Sequence, residues 1–281
     1  LAFAAPASAS DRLQIVASFS ILGDMVRQVT GDLADVTTIV GPDADAHLYH
    51  PNTADAKAVA GADIVFINGL GFETWSEALI NTAGGVVSVI LATVGVEPIL
   101  VDGEIDPHAW NALTNGVIYV ENIAAAMAAA DAGNADAYKA NAASYIAKLR
   151  ALHAGAADRF GSLPEDGRTV VTAHDAFGYL ADSYGLNFLA PVGIDTEAEP
   201  SASELAALIA HLKETGAGAL FVENITSPAL IEQISKETGL KIGGRLFSDA
   251  LSERGGPATS YVAMFEHNLG AIMTALEDSG S

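Results

Sequence analysis

Short β-type runs in this chain fall into two groups of four, and this grouping most constrains how the chain can fold. Helical segments with periodic apolar residues lie between most of the runs. The eight runs are Leu13–Ala17, Val36–Val40, Ile64–Asn68, Val86–Leu91, Thr169–Ala173, Phe188–Val192, Ala219–Val222 and Ile242–Phe247. Alternating strand and helix patterns are typical of parallel sheets with helical crossovers. The sequence therefore predicts an α/β protein of two lobes, each a four-stranded, mostly parallel sheet flanked by helices.

The stretch that separates the two groups, residues 115–160, has a helical composition with no proline and no strand pattern. Gly133 and Asn134 interrupt it, as a C-cap followed by an N-cap would. A helix from Asn134 to Phe160 would be about 40 Å long, which is enough to cross both lobes. Its apolar residues recur every three or four positions, which predicts one buried face. We therefore expect one long rigid helix to join the lobes and to limit their relative rotation.

These patterns divide the chain into four parts. Residues 1–10 resemble the end of a secretory signal with a small-residue cleavage site, so we exclude them from the fold. We assign residues 11–132 to an N-terminal lobe, 133–162 to the linking helix and 163–281 to a C-terminal lobe. No uncharged run reaches the roughly 18 to 20 residues that are needed to cross a bilayer. We therefore expect an exported protein that works in the periplasm.

Charge and cysteine content exclude several classes of function. The chain has 13 Lys and Arg residues against 35 Asp and Glu residues, which gives a net charge of −22. This charge disfavours nucleic acids and anionic membranes as partners, because both are negatively charged, and it attracts cations. The absence of cysteine excludes disulfides, thiolate catalysis and cysteine-ligated clusters. His, Asp and Glu are therefore the only strong metal ligands available.

Three of the seven histidines, His47, His108 and His174, fall where an apolar run gives way to a turn, and Asp249 follows the last run in the same way. In α/β sheets, side chains at the carboxyl ends of the strands line a shared crevice. Three imidazoles and one carboxylate would complete a tetrahedral zinc site. Asp106, held in extended geometry by the following proline, can accept the second ring N–H of a ligand histidine.

Other candidate residues are weaker. His50 lies in the same loop as His47, and a single site needs only one of the two. Glu223 lies at another strand end, where a structural role is favoured over a role at the site. The remaining histidines lie in helical segments without partner motifs and are interpreted as surface or core residues: His153, His211 and His267.

Four short motifs occur in order along the chain: H-x-Y-x-P at His47, D-P-H-x-W at His108, T-x-H-x-A-F-x-Y at His174 and S-D-A-L at Asp249. With the long helix between the second and third, this succession resembles the zinc-binding solute-binding proteins of bacterial ABC importers, in the helical-backbone metal receptor superfamily. The resemblance spans about residues 13–275. It implies one metal ion held between the two lobes by these four residues, and an ABC permease as the partner.

The resemblance also bears on the identity of the metal. Relatives that favour manganese have Glu at the third ligand position, where this chain has His174. Two carboxylates suit Mn²⁺, whereas three imidazoles with one carboxylate suit Zn²⁺. The resemblance therefore implies Zn²⁺ as the transported ion, with Mn²⁺ less suited, bound by a monomer that takes it free or from a periplasmic donor protein. Because the imidazoles must be deprotonated, we expect the affinity to fall below about pH 6.

One segment departs from the pattern of the resemblance. Many such receptors carry a long loop rich in His and acidic residues before D-P-H, but here only Val101–Ile105 separates Leu100 from Asp106. Nearby residues that are considered for a weak auxiliary metal site are Asp43, Asp45, His50, Asp102 and Glu104. Solvated loop charges are the favoured interpretation of this group.

Two other functions stay open at this point. In a zinc hydrolase, the three histidines would form an open site with Asp249 as general base, but four protein ligands close the shell and favour carriage over catalysis. An adhesin or a storage protein would share the metal site without a transporter. If the protein carries zinc, a rigid linking helix predicts release by motion of the loops near His47 or Asp249.

Overall fold

The computed structural model describes residues 12–84, 87–164, 167–215 and 217–279, and all eight predicted strands form within these ranges. In chain order the elements are β1 (Leu13–Phe19), α1 (Ser20–Thr30), β2 (Ala34–Val40), α2 (Thr53–Ala60), β3 (Ile64–Ile67), α3 (Ser76–Thr82), β4 (Ser88–Leu91), β5 (Leu100–Val101), β6 (Glu104–Ile105), α4 (Leu113–Ala130), α5 (Ala135–Gly161), β7 (Thr169–Val171), α6 (Gly178–Tyr184), β8 (Asn187–Leu189), α7 (Ala202–Thr215), β9 (Ala219–Glu223), α8 (Ala229–Thr238), β10 (Ile242–Leu246) and α9 (Tyr261–Ser279). Residues 1–10, the predicted end of a secretory signal, lie outside the described residues.

The strands form two separate four-stranded sheets, one in each lobe. The first sheet has the order β2-β1-β3-β4 and the second has the order β10-β9-β7-β8. Every pair of neighbouring strands in both sheets is parallel. The prediction of two lobes with four-stranded parallel sheets, joined by a long helix, is confirmed. The predicted lobe boundaries, 11–132, 133–162 and 163–281, stay a prediction.

Strand β1 lies in the interior of the first sheet, between β2 and β3, and its burial agrees with this position. Its residues from Ile15 to Phe19 are all buried, as expected for a parallel strand covered by helices on both faces. Strand β4 lies at the edge of the same sheet, and Val89 and Leu91 are more than one-third exposed. Central β1 is therefore more buried than edge strand β4.

A two-stranded antiparallel hairpin, β5–β6, was not expected from the sequence. Its turn residues Asp102 and Gly103 have φ angles of 52° and 90°. Two residues with positive φ make the tight turn that suits a hairpin, and Asp-Gly is a common pair for it. This hairpin occupies the short segment before the D-P-H motif, and β6 ends at the residue before Asp106.

The break between α4 and α5 differs in detail from the prediction. The C-cap of α4 is Asp131, whose N–H bonds to the carbonyl of Met127, so the expected role of Gly133 as C-cap is wrong. Asn134 is the N-cap residue of α5, but its side chain donates to the Asp131 carboxylate instead of capping the helix. The Tyr138 hydroxyl donates to the same carboxylate at 2.8 Å. The Asp131 carboxylate therefore fixes this turn.

Helix α5 has 27 residues and contacts both lobes. It packs against α1 and α4 on one side of the molecule and against α6 and α9 on the other. Tyr138, Tyr145 and Leu149 lie on its buried face, as predicted. Within the described ranges, none of the helices is both long and apolar enough to cross a membrane.

The lobes also contact each other directly. The largest hydrophobic core is continuous between them and includes Trp110 from the first lobe and Tyr261 from the second. The hydroxyl of Tyr261 donates to the carbonyl of Trp110 at 2.6 Å, and its backbone N–H donates to Asp24 at 2.9 Å. The Tyr179 hydroxyl donates to the carbonyl of Asp106 at 2.8 Å. Rotation of one lobe against the other would disrupt this buried contact.

Candidate metal centre

The four side chains predicted to bind metal lie together where the two lobes meet. Nε2 of His47 lies 3.2 Å from Nε2 of His108 and 3.3 Å from Oδ2 of Asp249. The same Oδ2 lies 3.2 Å from Nε2 of His174, and Oδ1 of Asp249 lies 3.8 Å from Nε2 of His108. In a tetrahedral site with bonds of about 2.0–2.1 Å, neighbouring ligand atoms are about 3.3 Å apart. The measured spacings match that size.

In the second lobe, the site residues come from the carboxyl ends of three adjacent strands. His174 follows β7, Glu223 ends β9 and Asp249 follows β10. Because the sheet order is β10-β9-β7-β8, Glu223 lies between the other two. Its Oε1 accepts the backbone N–H groups of Ala173 and His174 at 2.8 and 2.9 Å, and its Oε2 lies 2.6 Å from Nδ1 of His174.

Glu223 therefore contacts a candidate ligand directly, whereas the sequence favoured a structural role for it. A carboxylate on the second ring nitrogen of a ligand histidine fixes the ring tautomer and directs Nε2 toward the metal. The signal for this role was its strand-end position, which is the same signal that identified His174 and Asp249.

In the first lobe, both ligands lie on loops. His47 follows β2 by seven residues, and His108 immediately precedes a single 3₁₀ turn, Ala109–Asn111. Oδ1 of Asp106 lies 2.8 Å from Nδ1 of His108 and accepts the backbone N–H of His108 at 2.9 Å. This is the contact that the D-P-H motif predicted for Asp106.

Aromatic rings separate the site from water. The ring centroid of Phe72 lies 4.9 Å from that of His47, and the Trp110 centroid lies 5.3 Å from that of His108. Nε1 of Trp110 donates to the carbonyl of Ser248 in the other lobe at 2.8 Å. Three of the ligand residues are completely buried, and His47 is 8% exposed. A low-dielectric pocket of this kind strengthens the interaction of charged groups within it.

The electrostatics couple the ligands to one another. Burial alone would lower the pKa of His174, but the charges of Glu223 and Asp249 raise this pKa well above its ordinary value. Burial likewise acts to lower the pKa of His47, and contact with Asp249 raises it. For Asp249, burial acts to raise the pKa, but His174 and His108 hold it well below the usual range. Without metal, the cluster therefore favours a carboxylate beside protonated imidazole.

Several ligand atoms make no well-aligned hydrogen bond to any described residue. They are Nε2 of His174 and both carboxylate oxygens of Asp249. A buried polar atom without such a bond costs free energy, and native proteins rarely leave several together. A cation bound between them would satisfy all three atoms. The donor set of three imidazole nitrogens and one carboxylate therefore fits a divalent metal ion.

The remaining candidates lie elsewhere. His50 and His211 are exposed, His153 lies 3.2 Å from the Tyr184 hydroxyl, and His267 lies 2.9 Å from the Arg245 carbonyl. Within the described ranges, the four ligands form the only group of three or more His, Asp or Glu side chains spaced for a metal ion. The auxiliary group considered around His50 is therefore not brought together.

Comparison with known proteins places the chain among metal-binding transport proteins. The sequence profile of the family described as zinc-uptake complex component A, periplasmic (ZnuA), matches residues 15–275. The chain belongs to this family. The resemblance to the solute-binding proteins of bacterial ABC importers is thereby confirmed.

The relatives of this chain are named for different metals. The iron ABC transporter substrate-binding lipoprotein MtsA of Streptococcus pyogenes is 34% identical over 278 residues, which cover 95% of this chain and 90% of MtsA. The periplasmic zinc-binding protein TroA of Treponema pallidum is 27% identical with a TM-score of 0.90, covering 94% of this chain and 99% of TroA.

A Mn-bound periplasmic metal-binding protein of Candidatus Liberibacter asiaticus is 32% identical with a TM-score of 0.86, covering 94% and 100% of the two chains. Family and relatives are substrate-binding transport proteins, not enzymes. The chain is therefore a metal-binding substrate-binding protein of the ABC transporter type, and the hydrolase alternative is wrong.

Proposed function

We propose that the protein captures one Zn²⁺ ion with His47, His108, His174 and Asp249 and delivers it to an ABC permease. The observation that carries this proposal is the convergence of three imidazole Nε2 atoms and one carboxylate. The carboxylate oxygens of Asp249 lie 3.2 to 3.8 Å from the three Nε2 atoms. The Nε2 atoms of His47 and His108 lie 3.2 Å apart. Four protein ligands complete a tetrahedral shell and leave no open position for a reacting water. A closed shell suits carriage of the ion.

The ligand set supports zinc over manganese. Mn²⁺ favours oxygen ligands and higher coordination numbers, whereas Zn²⁺ is well served by imidazole in tetrahedral geometry. Asp106 and Glu223 contact Nδ1 of His108 and His174, and such contacts make an imidazole a stronger donor to a metal ion. Because the relatives are named for iron, manganese and zinc, the proposal of zinc rests on the ligands of this chain. His174 occupies the position at which relatives that favour manganese have Glu.

Capture would take place in the periplasm after export of the protein. Support comes from the description of the family as periplasmic and from the description of relatives such as MtsA as lipoproteins. The net charge of −22 would raise the concentration of cations near the protein and so assist their capture.

Competition titration of the metal-free protein with Zn²⁺, Mn²⁺ and Fe²⁺ tests the choice of metal. We expect one Zn²⁺ per chain, bound more tightly than the other two ions, and anomalous scattering at the zinc edge should place it among the four ligands. His174→Glu should shift the preference toward Mn²⁺. Tighter binding of Mn²⁺ by the unaltered protein would contradict zinc specificity, and failure to bind any of the ions would contradict metal carriage.

Growth under zinc limitation tests delivery to a permease. A strain of the source organism that lacks the protein should grow poorly when zinc is scarce, and the unaltered gene should restore growth. His174→Ala should not restore it, whereas His50→Ala should, since His50 is exposed in the loop that carries His47. Equal growth with and without the protein would contradict the transport role.

A further inference from the structure

His47 is held differently from the other two histidine ligands. Asp106 and Glu223 contact Nδ1 of His108 and His174, but no carboxylate of the described residues lies within ion-pair distance of Nδ1 of His47. His47 is also the one ligand with any exposure, 8% against 0% for the other three. The backbone N–H of His47 donates to Oδ1 of Asp45 at 2.8 Å.

The carboxylate of Asp45 joins this loop to the opposite lobe. Its second oxygen, Oδ2, accepts the hydroxyl of Thr196 at 2.7 Å. Thr196 lies between β8 and α7 in the second lobe, whereas Asp45 belongs to the segment that follows β2 in the first. One partly buried carboxylate therefore connects the backbone of His47 to the far side of the cleft.

Asp43 makes a second connection in the same direction. Its N–H donates to the carbonyl of Leu251 at 2.9 Å. Its carboxylate accepts the side-chain amide of Asn224 and the backbone N–H of Glu253, each at 3.0 Å. Asp43 has a φ of 51°, which few residues other than Gly, Asn and Asp adopt readily. The loop thus belongs to the first lobe by sequence but is bonded to the second.

We propose that Asp43 and Asp45, with their partners Thr196 and Asn224, form an interlobe latch that keeps His47 on the bound ion and limits the rate of metal release. The four residues are positioning residues, since they act on the ion only through His47. The proposal rests on the proposed function, because a release rate exists only if the protein binds a metal.

The surroundings indicate that opening occurs at this loop. Trp110 and Tyr261 belong to a buried core that is continuous between the lobes, so rotation of whole lobes would disrupt many contacts. By contrast, Thr196 borders a cavity of about 410 Å³ that also reaches His174. The segment that contains Thr196 therefore lies beside unfilled space and not inside the packed core.

Measurement of the Zn²⁺ release rate tests the latch. The Zn²⁺-loaded protein is mixed with an excess of a chromophoric chelator in a stopped-flow instrument. Thr196→Val removes the hydroxyl donor while keeping the shape of the side chain, and we expect it to release Zn²⁺ about three- to tenfold faster, as loss of a charge-assisted hydrogen bond allows. Thr196→Ser restores the donor and should return the rate to that of the unaltered protein.

Two further variants complete the experiment. Thr82→Val is the matched control, because the Thr82 hydroxyl bonds only to Ala78 within α3, and its release rate should not change. Asp43→Asn keeps a residue that tolerates positive φ but weakens the second connection, and it should accelerate release less than Thr196→Val does.

The outcomes separate the latch from the function on which it rests. Release at the unaltered rate from both Thr196→Val and Asp43→Asn would overturn the latch. The latch would also be overturned if Thr196→Ser released Zn²⁺ as fast as Thr196→Val and both variants unfolded at a lower temperature without metal. The effect would then be structural. An unaltered protein that takes up no Zn²⁺ would contradict the proposed function instead.

Discussion

The two lobes supply the four proposed metal ligands in different ways. In the second lobe, His174 follows β7 and Asp249 follows β10, both are completely buried, and Glu223 from β9, the strand between them, contacts His174. In the first lobe, His47 and His108 lie on loops, and the loop of His47 is bonded to the opposite lobe. We therefore regard the second lobe as the preformed half of the site, whereas the first lobe contributes its residues from loops.

This difference assigns separate physical tasks to the two halves. Ligands on strand ends with buried partners keep their positions when no ion is present, which lowers the conformational cost of binding. A ligand on a loop can leave the ion while its lobe stays in place. A carrier needs both properties, because it must bind tightly and still release its ion.

The largest expected effect is the loss of a ligand from the preformed half. His174→Ala or Asp249→Ala should weaken Zn²⁺ binding by more than about 100-fold, beyond the range typical for the loss of an outer partner. His47→Ala should weaken binding less, because His47 lies on a loop and no carboxylate of the described residues contacts its Nδ1. Calorimetric titration compares the variants, with His50→Ala as the control in the same loop. Equal losses for His47→Ala and His174→Ala would break the comparison between the lobes.

Loss of the carboxylate behind His174 should have the next largest effect. Glu223→Gln keeps the size of the side chain but removes the charge that orients Nδ1 of His174, so the affinity for Zn²⁺ should fall about 10- to 100-fold. Asp106→Asn is the matching change in the first lobe. If competition with a fluorescent chelator gave unchanged affinity for Glu223→Gln, its assignment to the site would be wrong.

The pH dependence of Zn²⁺ binding should follow His174, because burial acts to lower its pKa but the charges of Glu223 and Asp249 raise it well above the ordinary value. Zn²⁺ must displace the proton, so affinity should rise by about tenfold per pH unit for each proton lost, until the pH passes the raised pKa. Protonated His174 stabilises the metal-free fold below about pH 6.5, and this contribution is lost as the pH rises through the raised pKa. The increase in unfolding temperature on adding Zn²⁺ should therefore grow as the pH rises from about 6.5 toward the raised pKa.

Proton release during titration, measured calorimetrically in buffers of different ionisation enthalpy, checks the same prediction. His174→Ala is unsuitable for this measurement, because it removes the ligand. A Zn²⁺ affinity that does not change above about pH 6.5 would show that the histidines are already deprotonated without metal.

The smallest effect on affinity is expected at Gly178, the first residue of α6. A Cβ atom there would lie 2.7 Å from Oδ2 of the buried Asp106 and would displace the carboxylate that orients His108. We expect Gly178→Ala to weaken Zn²⁺ binding by less than about tenfold and to reduce the free energy of unfolding by about 1 to 3 kcal/mol. Gly155→Ala is the control, since it has open space in α5 and should stabilise the helix by about 0.5 to 1 kcal/mol. Similar unfolding midpoints for both variants would contradict the contact.

Much of the fold could be predicted because local patterns carry it. A short apolar run such as Ile64–Ile67 of β3 forms a buried strand, and the apolar period of α5 forms a helix with one buried face. The hairpin β5–β6 was missed because each of its strands has only two residues, which is too short for a periodic pattern. The cap of α4 was assigned to Gly133 on residue type, whereas the Asp131 carboxylate bonds to Asn134 and Tyr138 and places the cap there.

The sequence by itself determined which side chains could bind a metal and that they would follow strands or turns, because absence of cysteine leaves few ligands and strand ends share an edge. The tertiary structure decided which residues stand beside them. Glu223 meets His174 because β9 lies between β7 and β10, and lateral strand order is not encoded in any local pattern. Asp43 and Asp45 looked like solvated loop charges, and only the packing of the two lobes placed Asn224 and Thr196 opposite them.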